Sequence, residues 1–285
     1  IGYGSSAYGP DALAIGTTSY AKENSSVAIG RSAKARTVKS MALGWGSDAT
    51  GDSSIALGST TITEGAKAIA IGNSANSMAT SGIAIGDGAT AKADANDSAT
   101  TWNGEWSGTN TVAIGTGATA KRDQDVAIGR SASAKGGDAV ALGSGAYTLG
   151  ENSIAIGSNA RVDDNSTAAD DVKVRANSIA IGRGSYTNKK ETIAMGTGTR
   201  VTAKESVAIG QGVNIKDGAI DGVALGKGAV INADATYGVA IGQGATINTS
   251  ATHGIAIGQG ATINPSATHA TAIGQGAKVQ TSEGT

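Results

Sequence analysis

An aliphatic-Ala-aliphatic-Gly tetrad recurs seventeen times along these 285 residues, and a repeat this short leaves few folds open. Its glycine falls at Gly16, Gly30, Gly44, Gly58, Gly72, Gly86, Gly115, Gly129, Gly143, Gly157, Gly182, Gly196, Gly210, Gly226, Gly242, Gly258 and Gly274, with Thr271 replacing the first aliphatic in the last copy. The spacing is 14 residues through most of the chain and 16 from Gly210 onward, interrupted by intervals of 29 residues after Gly86 and 25 after Gly157. Fourteen residues are too few for a helical hairpin repeat. They suffice for two short strands and two tight turns, so the period predicts an all-β solenoid of stacked parallel coils. Val27-Ala28-Ile29 alternates large and small as a strand does. Two residues after every tetrad glycine stands Gly, Ser, Thr or Asn, which is turn chemistry. A second strand follows, with small residues at alternate positions such as Ala33 and Ala35, and a freely varying outward residue between them: Tyr20, Lys34, Asp48, Asn76, Tyr147, Arg161, Tyr186, Arg200.

Composition supports regular but thin structure. There are 44 Gly, no Phe, no Cys and 3% aromatic residues, so an ordinary large-side-chain core is excluded, while 39% hydrophobic and 16% charged residues are wrong for a disordered chain. A net charge of -1, spread along the chain, leaves no footprint for nucleic acid or anionic lipid. No stretch is long and apolar enough to span a membrane as a helix, and no signal segment opens the chain, which reads as a fragment of something longer.

The aliphatic pair of the first strand is expected to face the second-strand alanines inside the coil. That assigns the tetrad alanine to the outside: Ala14, Ala28, Ala42, Ala56, Ala70, Ala84, Ala113, Ala127, Ala141, Ala155, Ala180, Ala194, Ala208, Ala224, Ala240, Ala256 and Ala272. Solvent would not impose one residue type seventeen times, so a second copy of the chain packed against these alanines is the expected cause. Two aliphatic side chains per coil also offset little of the entropy of ordering it. An obligate homo-oligomer with the alanines at its interface is the expectation. Asp125 is the one charged residue on that face.

The run Asn24-Ser25-Ser26-Val27-Ala28-Ile29-Gly30-Arg31-Ser32-Ala33-Lys34-Ala35, echoed at Asn152 to Gly157 and Asn177 to Gly182, closely resembles the head repeat of trimeric autotransporter adhesins, the YadA-like head. The resemblance implies a left-handed parallel β-roll, a homotrimer, and display on the outer membrane of a Gram-negative bacterium through a stalk and C-terminal barrel outside this segment. It further implies virulence-associated adhesion to host matrix proteins of the collagen, fibronectin and laminin class or to abiotic surfaces, and bacterial autoagglutination. A structural spacer in a longer fibre is the alternative. On this reading residues 1–285 form a single head, with mainly 14-residue coils over 1–210, insertions near 94–110 and 161–175, and 16-residue coils over 211–285. The 16-residue coils put Ile or Val where earlier copies have Ala and are expected to be wider.

Nothing points to catalysis, a cofactor or a metal. Gly-x-Gly runs such as Gly44-Trp45-Gly46 lack the third glycine of a dinucleotide fingerprint and a following helix, so they read as turns. His253 and His269 occupy a repeat corner where neighbouring coils carry Asp221 and Tyr237. A hexapeptide acyltransferase would need coils in multiples of six, and an ice-binding solenoid an unbroken threonine array. The chain has neither. The first long interval holds Trp102, Glu105 and Trp106, an aromatic cluster that either anchors its own loop or contacts a ligand. The second holds Asp163-Asp164 and Asp170-Asp171, read as a solvated acidic loop rather than a calcium site.

Overall fold

The computed structural model describes residues 1–92, 109–163 and 177–280. The chain divides into two compact units, Ile1–Gly145 and Ala146–Thr285. In each, every coil contributes a three-residue first strand on the tetrad, such as Val27–Ile29, and a two-residue second strand, such as Lys34–Ala35. Equivalent strands of successive coils pair in parallel and in register, Ala14 with Ala28 and Ala28 with Ala42 in the first unit, Ala224 with Ala240 and Ala240 with Ala256 in the second. The parallel β-solenoid expected from the period is therefore the fold. Strand donors bond to an adjacent coil, as in Val27 N–H to Ser40 O at 2.9 Å and Gly30 N–H to Ile15 O at 2.8 Å, while turn donors also bond within the coil, as in Ser26 N–H to Glu23 O at 3.2 Å.

The turns follow the residue pattern closely. The residue two past each tetrad glycine takes a positive φ in all seventeen copies, from Thr18 at 55° to Gly276 at 67°. The residue five before the glycine does the same, including Ser25, Gln124, Tyr237 and His253, each between 54° and 56°. The tetrad glycine has a separate reason to be invariant. At Gly72 φ is 139°, and an added Cβ would lie 2.5 Å from the Gly86 carbonyl oxygen of the next coil. Only a residue without a side chain lets successive backbones approach so closely.

Both long intervals are bridged by direct pairing. Ile83 pairs with Val112 and Thr90 with Thr119 across the first, Ile154 with Ile179 and Arg161 with Tyr186 across the second. The coil before each interval thus stacks on the coil after it. Trp102, Glu105 and Trp106 lie outside the described residues, as do Asp164, Asp170 and Asp171.

The interior overturns one expectation. The tetrad alanines are buried within the single chain, almost all of them completely, whereas Val27 and Ile29 are half-exposed on the outside. Inside each coil the tetrad alanine and the small residue two positions before it, such as Ser26 or Ala68, meet the small residues of the second strand, such as Ala33, Ala35 and Thr63. The reason is geometric. Ordinary packed sheets stand about 10 Å apart because large side chains fill the gap, but turns this short hold the two strands of one coil so close that the interior is built almost wholly from Ala, Ser and Thr, with an occasional Val such as Val162 or Val201. Interior hydroxyls fold back onto the turns, as Ser26 Oγ does to Glu23 O at 2.6 Å and Ser40 Oγ to Thr37 O at 2.7 Å. The alanines are therefore closed off inside each coil rather than presented on its outer face.

In the 16-residue coils the two extra residues fall in the corner between the second strand and the next first strand, as over 216–222. The interior there exchanges sizes across the coil. Ile215, Ile231, Ile247 and Ile263 are fully buried, and the facing position becomes Gly222, Gly238 or Gly254. A Cβ on Gly238 would come within 3.1 Å of Ile247 Cδ1 and 3.3 Å of Ile231 Cγ2, so the isoleucines occupy the volume the glycines leave. Asn232 and Asn248 stack along this corner, with Asn232 Nδ2 donating to Asn248 Oδ1 at 3.3 Å and Asn248 Nδ2 to Ile263 O at 2.8 Å.

Candidate binding surfaces

The first strands present their aliphatic side chains to the outside as two parallel columns in each unit. Leu13, Met41, Leu57 and Leu142 in the first unit, and Met195, Ile209 and Ile273 in the second, are between 36% and 67% exposed. The rest of the columns is half-exposed. In-register stacking makes this a continuous apolar ribbon rather than scattered single residues, and such ribbons mark contact surfaces.

The second strands carry the opposite face, and it is polar and aromatic. Arg36 forks onto Asp48 through two 2.7 Å contacts, Nε to Oδ1 and Nη2 to Oδ2. Tyr8 and Tyr20 rings lie 5.7 Å apart. In the second unit the outward column reads Tyr147, Arg161, Tyr186, Arg200 on successive coils, with each guanidinium over the preceding ring at 4.9 and 4.3 Å. The free variation expected of this outward position is what the structure displays. At the corner, Tyr237, His253 and His269 form an exposed stack with centroids 4.8 and 4.6 Å apart, so the histidines are corner residues as expected.

Asp125 occupies the interior position that is Ser, Ala, Thr or Gly in other coils. Its carboxylate accepts from the N–H groups of Arg122 at 2.9 Å, Gly137 at 3.0 Å and Ala139 at 3.1 Å. Burial nevertheless outweighs these donors and pushes the carboxyl up to about 6. A folded pKa above the unfolded value of about 3.9 means the native state holds the proton more tightly. Stability should then rise as pH falls from 7 through 6 toward 4, by about 2 kcal/mol, and reach the roughly 3 kcal/mol of a two-unit shift only below the unfolded value. Urea unfolding at pH 7 and pH 4.5 checks this: the wild type should gain over Asp125→Ser on acidification, and equal slopes for the two would refute it.

One cavity of about 370 Å³ sits where the 16-residue corners begin, lined by Lys189, Lys204, Asp217, Gly218, Ile220, Ala233 and Asp234. Among the described residues no group of three or more His, Cys, Asp or Glu could hold a metal ion. The lining offers cations and carboxylates with no nucleophile and base beside each other.

The YadA head domain repeat matches residues 1–19, 21–47, 49–75, 107–132, 134–160 and 188–212, more than half of the chain. The chain belongs to the YadA head family. This YadA head is an adhesin module and not an enzyme. No curated protein matches the chain. The matched segments stop at residue 212, yet the two-strand coil continues through Lys278–Val279. What sequence reasoning missed is the aliphatic ribbon. A signal for it exists in the repeat: after Ile215, Ile231 and Ile247 at the second-strand position, the residue two before the tetrad alanine becomes Gly222, Gly238 and Gly254. That exchange places the alanine's own face inside.

Proposed function

We propose that this YadA head works as a homotrimer of left-handed β-rolls in which the aliphatic columns of three chains meet along a shared axis, leaving the second strands and corners outward as adhesive surface. The exposed apolar ribbon carries this reading, because a secreted module would not leave such a face in water. Three as the number of chains, and the hand of the roll, rest on family membership. The outward faces attach to host matrix proteins of the collagen, fibronectin and laminin class or to abiotic surfaces and hold bacteria together, with the head displayed on a Gram-negative outer membrane by a C-terminal region. Repetition down the head favours many weak contacts summed by avidity.

Sedimentation of the purified head, followed by retention on immobilised collagen, fibronectin, laminin and bare plastic, tests both halves. A trimer retained on at least one surface is expected. A folded monomer at micromolar concentration would sink the assembly, and a trimer retained on none would leave a spacer.

A further inference from the structure

We propose that Arg200 is a binding point for a carboxylate carried by a protein partner, an aspartate or glutamate side chain standing where Asp163 stands beside Arg161. The inference rests on the adhesin reading and names one contact within it. The second unit contains the same arrangement twice. Tyr147 is followed on the next coil by Arg161-Val162-Asp163, and Tyr186 by Arg200-Val201-Thr202. In both, valine is buried inside the coil and the guanidinium lies over the preceding tyrosine ring.

The two differ at the residue two past the arginine. Asp163 pairs with Arg161, so that guanidinium has a carboxylate from its own strand. Thr202 stands at the equivalent place and donates its hydroxyl to Ile215 O at 3.1 Å. Among the described residues Arg200 has the Tyr186 ring beneath it and no carboxylate beside it, and it is exposed. Arg36 too has its carboxylate, from Asp48. Arg200 is thus an exposed arginine whose guanidinium sits over a ring, 4.3 Å from its centroid. Guanidinium N–H groups in that state suit a planar carboxylate accepting two parallel bonds. Stacking has already restricted the side chain, so less freedom is lost on binding than for a loose surface arginine. Lys204, exposed on the same coil, adds a second cation.

The test measures retention of the intact head on immobilised poly-L-glutamate, with hyaluronan and carboxyl-amidated poly-L-glutamate as parallel surfaces. Wild type should be held on poly-L-glutamate alone. Arg200→Gln should weaken retention about tenfold or more, the size of one charged hydrogen-bonded contact, and Arg200→Lys should restore part of it. Thr202→Asp, which supplies the missing carboxylate from the strand itself, should weaken it equally without lowering the melting temperature. Arg161→Gln should change it less than about twofold, within the range of a surface ion pair. Wild-type retention by both Arg200→Gln and Thr202→Asp would overturn the proposal, as would retention on hyaluronan alone, which would indicate a uronate. Matrix-protein binding that survives Arg200→Gln removes this contact and leaves the adhesin reading standing. Loss of all matrix binding with poly-L-glutamate retention intact does the reverse.

Discussion

Ala70→Leu is expected to unfold the coils around it. Ala70 is fully buried, in register with Ala56 and Ala84, and faces a second strand made of equally small residues. Overpacking an ordinary core costs roughly 1 to 3 kcal/mol because neighbours shift. Here the neighbours are backbone held by short turns and by ladder bonds to both adjacent coils, so the cost should reach or exceed about 3 kcal/mol per chain. The same substitution on an alanine between two chains would weaken association and leave each coil intact. Hydrogen exchange separates the two outcomes: lost protection over the coils from Gly58 to Gly86 is expected, and retained protection with weakened association would restore an interface role for the alanine.

The complementary change lies one residue to either side. Ile69→Asp with Ile71→Asp leaves the interior untouched and puts carboxylates on the apolar ribbon. If three chains meet there, six aliphatic side chains leave the axis at one level, each worth roughly 1.5 to 3 kcal/mol of burial. Their replacements are charges that would be desolvated in close company. Sedimentation should show monomer or unfolded chain at concentrations where the wild type is a trimer. A variant that sediments with the wild-type mass would mean that the ribbon is not the contact.

These substitutions have opposite expected readouts because alternation along a strand defines two faces without saying which is inside. Hydrophobicity alone assigned Val27 and Ile29 to the coil interior and Ala28 to the exterior, and the structure has them the other way round. That rule holds for a chain that must hide its apolar face within itself. A coil whose apolar face is presented to other copies can reverse it.

The repeat carried much of the rest. Period, strand placement, the turn two past each tetrad glycine and family membership were legible from the residues, because each depends on local chemistry repeated many times over. Turn residues at Ser32, Gly46 and Asn159 all adopt positive φ, which glycine and asparagine favour. The tetrad glycines also stand out in sequence, although their cause, a carbonyl of the next coil that an added Cβ would meet at 2.5 Å, is tertiary.

By itself, then, the sequence determined a parallel two-strand coil, its turns and its kinship with adhesin heads. Tertiary structure alone decided which face closes inward, that Asp125 is buried among backbone donors, and that Arg200 stands over Tyr186 without the carboxylate Arg161 has. The physical reason is distance. Turn length sets how far apart the two strands of a coil lie, and that gap, which no single residue encodes, selects which side chains can fit between them.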